Sequence, residues 1–334
     1  MSARSWFAGL LLTAAVLTGC AAHRFVASHR PPAPAATIAE VTARARALLA
    51  GATLVYVSDY FSFVGSDSQG HVVFALDNNR GRDGDAYQAE HFAVLHEEGV
   101  GWADVPKRVR YPNPGGELFG IPDSPVFRFE GDAAHGWTIT GVTAPLTLRI
   151  GQLVTRTDEA GAATIFSMSS APAVLAWRGR TLPGRVICEY LVLKGENPLA
   201  RPLGLAEALG FRFQGLYLRV GDADDVYVHA GHAPRAALPP VLGFVVLGGR
   251  DRAVDELGFE ATGHALGPGL YRWPSRWRIG WTGVTGTAGV TVRTVARTTM
   301  LNWGLGGYGM AVVRGEMEVD GRTVPVYGLA ELVE

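Results

Sequence analysis

A turn-and-strand segment occurs twice in this chain. Gly179-Arg180-Thr181-Leu182-Pro183 leads, six residues after its proline, to Glu189, and Gly321-Arg322-Thr323-Val324-Pro325 leads at the same spacing to Glu331. In each copy a turn opened by glycine feeds an apolar strand that carries the glutamate. Two copies so far apart imply two similar domains rather than a solenoid. A glutamate demanded at the same place in both copies reads as a residue that fixes a turn or closes a barrel. The segments from Phe61 to Leu76 and from Leu218 to His229 form a second, weaker echo.

The texture between the copies is that of an all-β protein. Short apolar or alternating runs such as Leu54-Val55-Tyr56-Val57, Val72-Val73-Phe74-Ala75-Leu76, Leu146-Thr147-Leu148-Arg149-Ile150 and Val290-Thr291-Val292 are separated by Gly, Asp, Asn and Pro, and the chain holds 43 glycines. Residues 36–50 have helix-forming composition, so one short helix precedes the strands, and residues 204–209 read as a brief helical turn. The turn chemistry of Gly195-Glu196-Asn197-Pro198 places the domain boundary there.

The start of the chain has a different grammar. Arg4 supplies a short positive region, and Trp6 to Leu17 is apolar but too short to span a bilayer. It ends in Leu17-Thr18-Gly19-Cys20, which resembles the bacterial lipobox. That resemblance implies cleavage of residues 1–19 and lipidation of Cys20 with diacylglycerol and a further acyl chain such as palmitate. Each buried methylene contributes about 0.8 kcal/mol, so two or three chains hold a soluble body to a membrane. Ala21 and Ala22 lack the retention aspartate, so the rule favours an outer membrane, facing the periplasm. The expected organisation is therefore a signal (1–19), a proline-rich tether and short helix (20–51), and two domains (52–195 and 196–334). Cys188 is then the only remaining thiol, which rules out an internal disulfide.

A formal charge of −1 provides no global field for nucleic acid, and no nucleic-acid partner is expected. Gly304-Leu305-Gly306-Gly307-Tyr308-Gly309 fits the dinucleotide expression, but strand-like residues follow it and no βαβ unit surrounds it, so it reads as a glycine-rich hairpin. Asp222-Ala223-Asp224-Asp225 lacks the glycine and glutamate of a calcium loop, and His96-Glu97-Glu98 reads as a solvated turn. The common hydrolase and zinc signatures are missing, and no cofactor or metal is expected.

The densest polar constellation is Asp77-Asn78-Asn79-Arg80 followed by Tyr87-Gln88-Ala89-Glu90-His91-Phe92. Strand alternation puts Gln88, Glu90 and Phe92 on one face and Tyr87 and His91 on the other. A carboxyl or imidazole directed into an apolar barrel has a perturbed pKa and can donate a proton to an alkene or carbonyl. Asp77, Glu90 and His91 are thus the candidate catalytic residues, and Asn79, Arg80, Tyr87 and Trp102 the candidate ligand-binding residues. Their structural alternative is a hydrogen-bonded loop and a rim pair.

Trp177-Arg178-Gly179 through Glu189, Val313-Arg314-Gly315 through Glu331, and Tyr271-Arg272-Trp273-Pro274-Ser275-Arg276-Trp277 resemble the tandem lipocalin-like family of carotenoid 1,2-hydratase (hydroxyneurosporene synthase) and AttH-type proteins. The family's aromatic Glu-Trp-Trp-Tyr signature is replaced here by Ser58-Asp59-Tyr60-Phe61. The resemblance implies two antiparallel lipocalin-like β-barrel domains side by side, each able to enclose side chains or one apolar ligand. Three functions remain open at this point. The first is a membrane-tethered protein that binds an apolar lipid or isoprenoid in or between the barrels. The second is a hydratase or cyclase that uses acid catalysis from the Asp77, Glu90 and His91 neighbourhood, and the third a structural envelope component.

Overall fold

The structure is a computed structural model, and it describes residues 23–28, 36–200, 213–221, 224–231, 241–247, 250–252, 256–266, 272–283, 286–302, 307–319 and 321–333. Cys20, the export signal, most of the tether and the turn at 204–209 lie outside the described residues. Among those described, no helix is long and apolar enough to cross a membrane.

Strand β1 (His23–Ser28) comes first, then helix α1 (Ile38–Leu49). Thr37 caps α1 in a reciprocal capping box with Glu40. Eleven strands follow: β2 (Leu54–Asp67), β3 (Gly70–Asp83), β4 (Ala86–Glu97), β5 (Gly101–Trp102), β6 (Arg108–Pro112), β7 (Phe127–Asp132), β8 (Gly136–Gly141), β9 (Leu146–Ile150), β10 (Val154–Ala160), β11 (Thr164–Trp177) and β12 (Arg180–Lys194). They form one antiparallel sheet in the order β5-β4-β3-β2-β12-β11-β9-β8-β7, with β10 on β11 and β6 on β4.

The second half contributes β13 (Phe213–Val220), β14 (Asp224–Gly231), β15 (Val241–Leu247), β16 (Arg250–Arg252), β17 (Glu256–Thr262), β18 (Ala265–Leu266), β19 (Arg272–Trp273), β20 (Arg276–Gly283), β21 (Gly286–Asn302), β22 (Gly307–Val319) and β23 (Arg322–Val333). Its sheet runs β1-β17-β20-β21-β22-β23-β13-β14-β15-β16, with β18 and β19 paired apart. The two sheets curl into one half-barrel and one nearly closed barrel, the tandem antiparallel architecture expected from the repeat. One part of the tether reading is corrected. His23–Ser28 pairs in register with β17, from His23 opposite Ala261 to Ser28 opposite Glu256. A six-residue run without Pro or Gly extends readily along an open sheet edge.

The duplicated segment is a hairpin in both halves: β11 into β12, and β22 into β23. In the first copy Arg178 (φ 48°) and Gly179 (φ 79°) are both left-handed, as a two-residue hairpin turn requires. Gly307, Tyr308 and Gly309 lie in β22, which makes the glycine-rich expression a strand segment from that point on.

Three apolar layers result. Inside the first barrel Phe61, Phe63, Phe74, Leu148, Leu175, Trp177 and Cys188 pack together, and α1 closes one end with Val41, Ala45 and Leu49. Inside the second, Leu216, Leu218, Phe259, Trp273, Trp277 and Ile279 form the core. The third layer lies between the barrels, where the outer face of β2, β3, β4, β11 and β12 packs against that of β13, β14, β15, β21, β22 and β23 through residues such as Tyr60, Phe92, Met168, Tyr217, Met310 and Leu329.

Backbones approach very closely where β23 bends past β13. A Cβ at Gly328 would run into the carbonyl oxygen of Tyr217 and the Cα of Leu218. Gly328→Ala is therefore expected to lower stability by about 1–3 kcal/mol, the usual cost of overpacking, with urea unfolding as the measurement. An unchanged midpoint would show that this crossing is looser than described.

Candidate functional site

Parity along the repeated strands decides where the two glutamates point. On β12, Val186 and Cys188 face the first core, so Ile187, Glu189 and Leu191 face the layer between the barrels. On β23, Val326, Ala330 and Leu332 face the second core, so Tyr327, Leu329, Glu331 and Val333 face the same layer. The two glutamates thus come from opposite barrels into one layer, Glu331 buried and Glu189 half-buried. This corrects their reading as turn or closure residues.

Aromatic and hydroxyl groups surround them. Tyr60 lies opposite Glu189 in the ladder, and Gly215, two residues before Tyr217, lies opposite Glu331. The Tyr217 hydroxyl donates to Glu331 Oε2 at 2.6 Å. The ring of Tyr217 sits 4.8 Å from Tyr60 and 4.9 Å from Tyr227, and Tyr308 meets Phe92 edge-on at 5.3 Å. The Tyr60 hydroxyl reaches Met310 Sδ across the layer at 3.4 Å. Met168, Met300, Phe166 and Leu329 supply apolar wall.

The electrostatics are unusual because, among the described residues, neither Glu189 nor Glu331 makes an ion pair. Burial pushes the Glu331 carboxyl from its usual 4.5 up to about 8. The nearby Asp77 adds to the rise, while the hydroxyls of Tyr217 and Tyr308 pull the other way. Burial, then Glu331 and Asp77, drive Glu189 well above the carboxylate range, and its Oε1 has no hydrogen-bond partner. Desolvation disfavours the charged form, and like charges in one site compound the effect. Asp77 is raised to about 6, chiefly by burial, and accepts a hydrogen bond from Ser58 Oγ at 2.8 Å. Burial likewise lifts Tyr56, Tyr60, Tyr217 and Tyr308 well above the ordinary phenol value. At neutral pH Glu331 and Glu189 are therefore held toward the neutral acid form among neutral phenols, while Asp77 is largely ionised.

The residues expected from sequence divide between the two faces of the first sheet. Asp77, Asn79 and Glu90 lie on the face toward the second barrel, and Asn79 accepts from the Tyr56 hydroxyl. Glu90 is taken by the guanidinium groups of Arg108 and, at 3.5 Å, Arg110, so it is not poised as a free acid. His91 faces the first core instead, packed 5.2 Å from Phe127 and 5.9 Å from Tyr111. Burial lowers its pKa to about 4, which leaves a neutral ring away from the carboxyls. Arg80 also points inward and pairs with Asp59. Tyr87 accepts from Arg82 at 3.2 Å near α1, and Trp102 sits at the margin of the inter-barrel layer beside His96. Of the expected set, the structure brings Asp77 to the carboxyl pair and sends His91 and Arg80 elsewhere. Tyr60, Tyr217 and Glu331 were not among the residues expected from sequence and Glu189 was only a weaker candidate, although the repeat had already marked both glutamates.

No protein-family model matches the chain, and no curated protein matches it. Solved structures do. An AttH-type protein from Nitrosomonas europaea superposes with a TM-score of 0.55 at 9% identity, covering 83% of this chain and 91% of that one. Kievitone hydratase from Nectria haematococca gives 0.54 at 10% identity, covering 83% and 88%. CghA, solved with Sch210972, gives 0.51 at 12% identity, covering 84% and 89%. At these identities the likeness is one of fold. The chain is built as those proteins are, with two antiparallel barrels in tandem.

Proposed function

We propose that the protein is an enzyme of the hydratase or cyclase type, acting by acid catalysis on an apolar, unsaturated substrate held between the barrels. The observation that carries this reading is the pair Glu189 and Glu331, which make no ion pair among the described residues and whose pKa values burial raises. The likeness in fold to a hydratase supports it further. In this reading Glu331 is the proton donor, with Tyr217 fixing its orientation and Glu189 holding a second proton in the same space. Proton transfer to an alkene carbon leaves a cation that aromatic faces and methionine sulfurs can stabilise. Water then adds and returns its proton to the carboxylate (hydration). In cyclisation a second alkene of the substrate attacks, and the product cation loses a proton to the same carboxylate. Both cycles regenerate the acid.

The lipid anchor belongs to the same proposal, since an apolar substrate is most concentrated at a membrane. Its support is the lipobox ending at Cys20.

Three outcomes are expected. Glu331→Gln should lower turnover of a polyene substrate about 10²–10⁴-fold, the usual contribution of a general acid, and Glu189→Gln should also impair it, whereas Glu90→Gln should act weakly. Unchanged turnover in both Glu189→Gln and Glu331→Gln would remove the proposed acid. Glu331 is raised in the folded protein, so its contribution to stability is present at low pH and declines as pH rises from about 4.5 to about 8. The slope is at most ~1.4 kcal/mol per pH unit for one proton. Melting curves across that window should flatten in Glu331→Gln. Finally, cells fed labelled palmitate should label the protein but not Cys20→Ser; equal labelling of both would exclude lipidation there.

A further inference from the structure

At one end of the inter-barrel seam lies a cleft of about 730 Å³ whose lining is dominated by arginine. Its floor is a single row running straight across the second sheet. Arg276 on β20 is opposite Arg293 on β21, and Arg293 is opposite Arg314 on β22. Arg314 is opposite Tyr327 on β23, and Tyr327 is opposite Arg219 on β13. The row ends, in register, at Asp225 on β14. Four arginines thus occupy five adjacent strands, a width of about 19 Å at the usual strand spacing.

Such a row is unfavourable when left alone. Residues directly opposite on adjacent strands have Cβ atoms about 5 Å apart, and like charges there repel. Compensation is partial. Arg314 pairs with Glu98 of the first barrel, which also holds His71 at 2.7 Å. Arg219 gives hydrogen bonds to the backbone oxygens of Gly221 at 2.8 Å and Pro183 at 3.2 Å. Arg276 and Arg293 are exposed and make no ion pair among the described residues. Among the described residues Glu316 is the single carboxylate lining the cleft. The wall is flat and aromatic, with His71 stacked on Tyr327 at 4.4 Å and Arg314 over the same ring. Beside the cleft, His71 is held below its ordinary pKa by burial first and then by Arg314 and Arg219, as a positive local field requires.

We propose that this row is an oxyanion site for a ligand carrying phosphate groups, with Arg276, Arg293 and Arg314 as its forks. Guanidinium donors match phosphate oxygens two at a time, and three at strand spacing match adjacent phosphates or one phosphate gripped from several sides. The phosphate belongs either to a free soluble compound or to a lipid headgroup. The site does not rest on the acid-catalysis reading. Tyr327 is four residues from Glu331 along β23, about 13 Å, so the cleft is a separate part of the same seam.

Titration of inorganic pyrophosphate, and separately of monomeric dihexanoyl-phosphatidylglycerol, into the full chain tests the assignment. The expected result is saturable binding of at least one probe that weakens with salt. It should weaken at least tenfold in Arg276→Ala/Arg293→Ala and stay unchanged in Arg128→Ala, which removes an exposed arginine of the first barrel. Pyrophosphate binding assigns the site to a free phosphate compound, and binding of the lipid alone assigns it to a headgroup. Arg293→Lys, which keeps the charge and loses the fork, should give an intermediate affinity and serves if the double variant does not fold. No saturable binding of either probe, or binding indifferent to these substitutions, overturns the proposal.

Discussion

Packing two sheets back to back removes the outer face of each from water, and every notable property of this molecule depends on that layer. A large apolar side chain moved into it contributes about 1.5–3 kcal/mol, and Phe92, Phe166, Met168, Met310 and Leu329 are all there. The same layer takes in Glu189 and Glu331. An ionised carboxylate in such surroundings would cost far more than several of these side chains return, whereas a neutral carboxyl with one hydrogen bond costs only a few kcal/mol. The balance is met by protonation, so the apolar packing sets the acidity of the site.

Cross-layer contacts keep the two faces in register. Lys107 Nζ donates to Thr298 Oγ1 at 2.8 Å, Tyr60 reaches Met310, Arg219 bonds the carbonyl of Pro183, and Glu98 bridges His71 and Arg314. Those of Arg219 and Glu98 lie beside the cleft, while Tyr60–Met310 and Lys107–Thr298 lie nearer the carboxyls, with Thr298 opposite Met310 and Met310 opposite Glu331 in the ladder. Arg314 is roughly half exposed, while Glu331 is buried and its carboxyl is raised by desolvation. One seam therefore has raised carboxyls in its middle and an arginine-lined cleft at one end.

The all-β class, the tandem arrangement and the short N-terminal helix were legible in sequence because period-two runs, glycine turns and helix-forming composition are local signals. The docking of one barrel on the other was not. Tyr60, Ser62, Asp77, Asn79 and Glu90 alternate with core residues just as a solvated face would, and only the second sheet makes Tyr60, Ser62, Asn79 and Glu90 interior and Asp77 half-buried. Asp77 was found because polar residues cluster around it. His91 was drawn in by that same cluster, since sequence adjacency cannot distinguish the two sides of a strand. His23–Ser28 looked like tether because a short edge strand carries no periodicity beyond its own six residues.

The repeat explains why a carboxyl pair exists at all. A hairpin that places glutamate six residues after its proline puts that glutamate on the outer face of its own barrel, where one copy alone would leave it hydrated and ionised. Duplication supplies a second barrel with the same outward glutamate, and docking of the like faces buries both acids among each other's tyrosines. Tyr217 from the second barrel meets Tyr60 from the first, and Asp77 from the first raises Glu331 of the second. Neither half contains the site. Its chemistry arises from their contact, so a substitution that loosens the layer should raise the hydration of both carboxyls together and lower both pKa values, even when it touches neither.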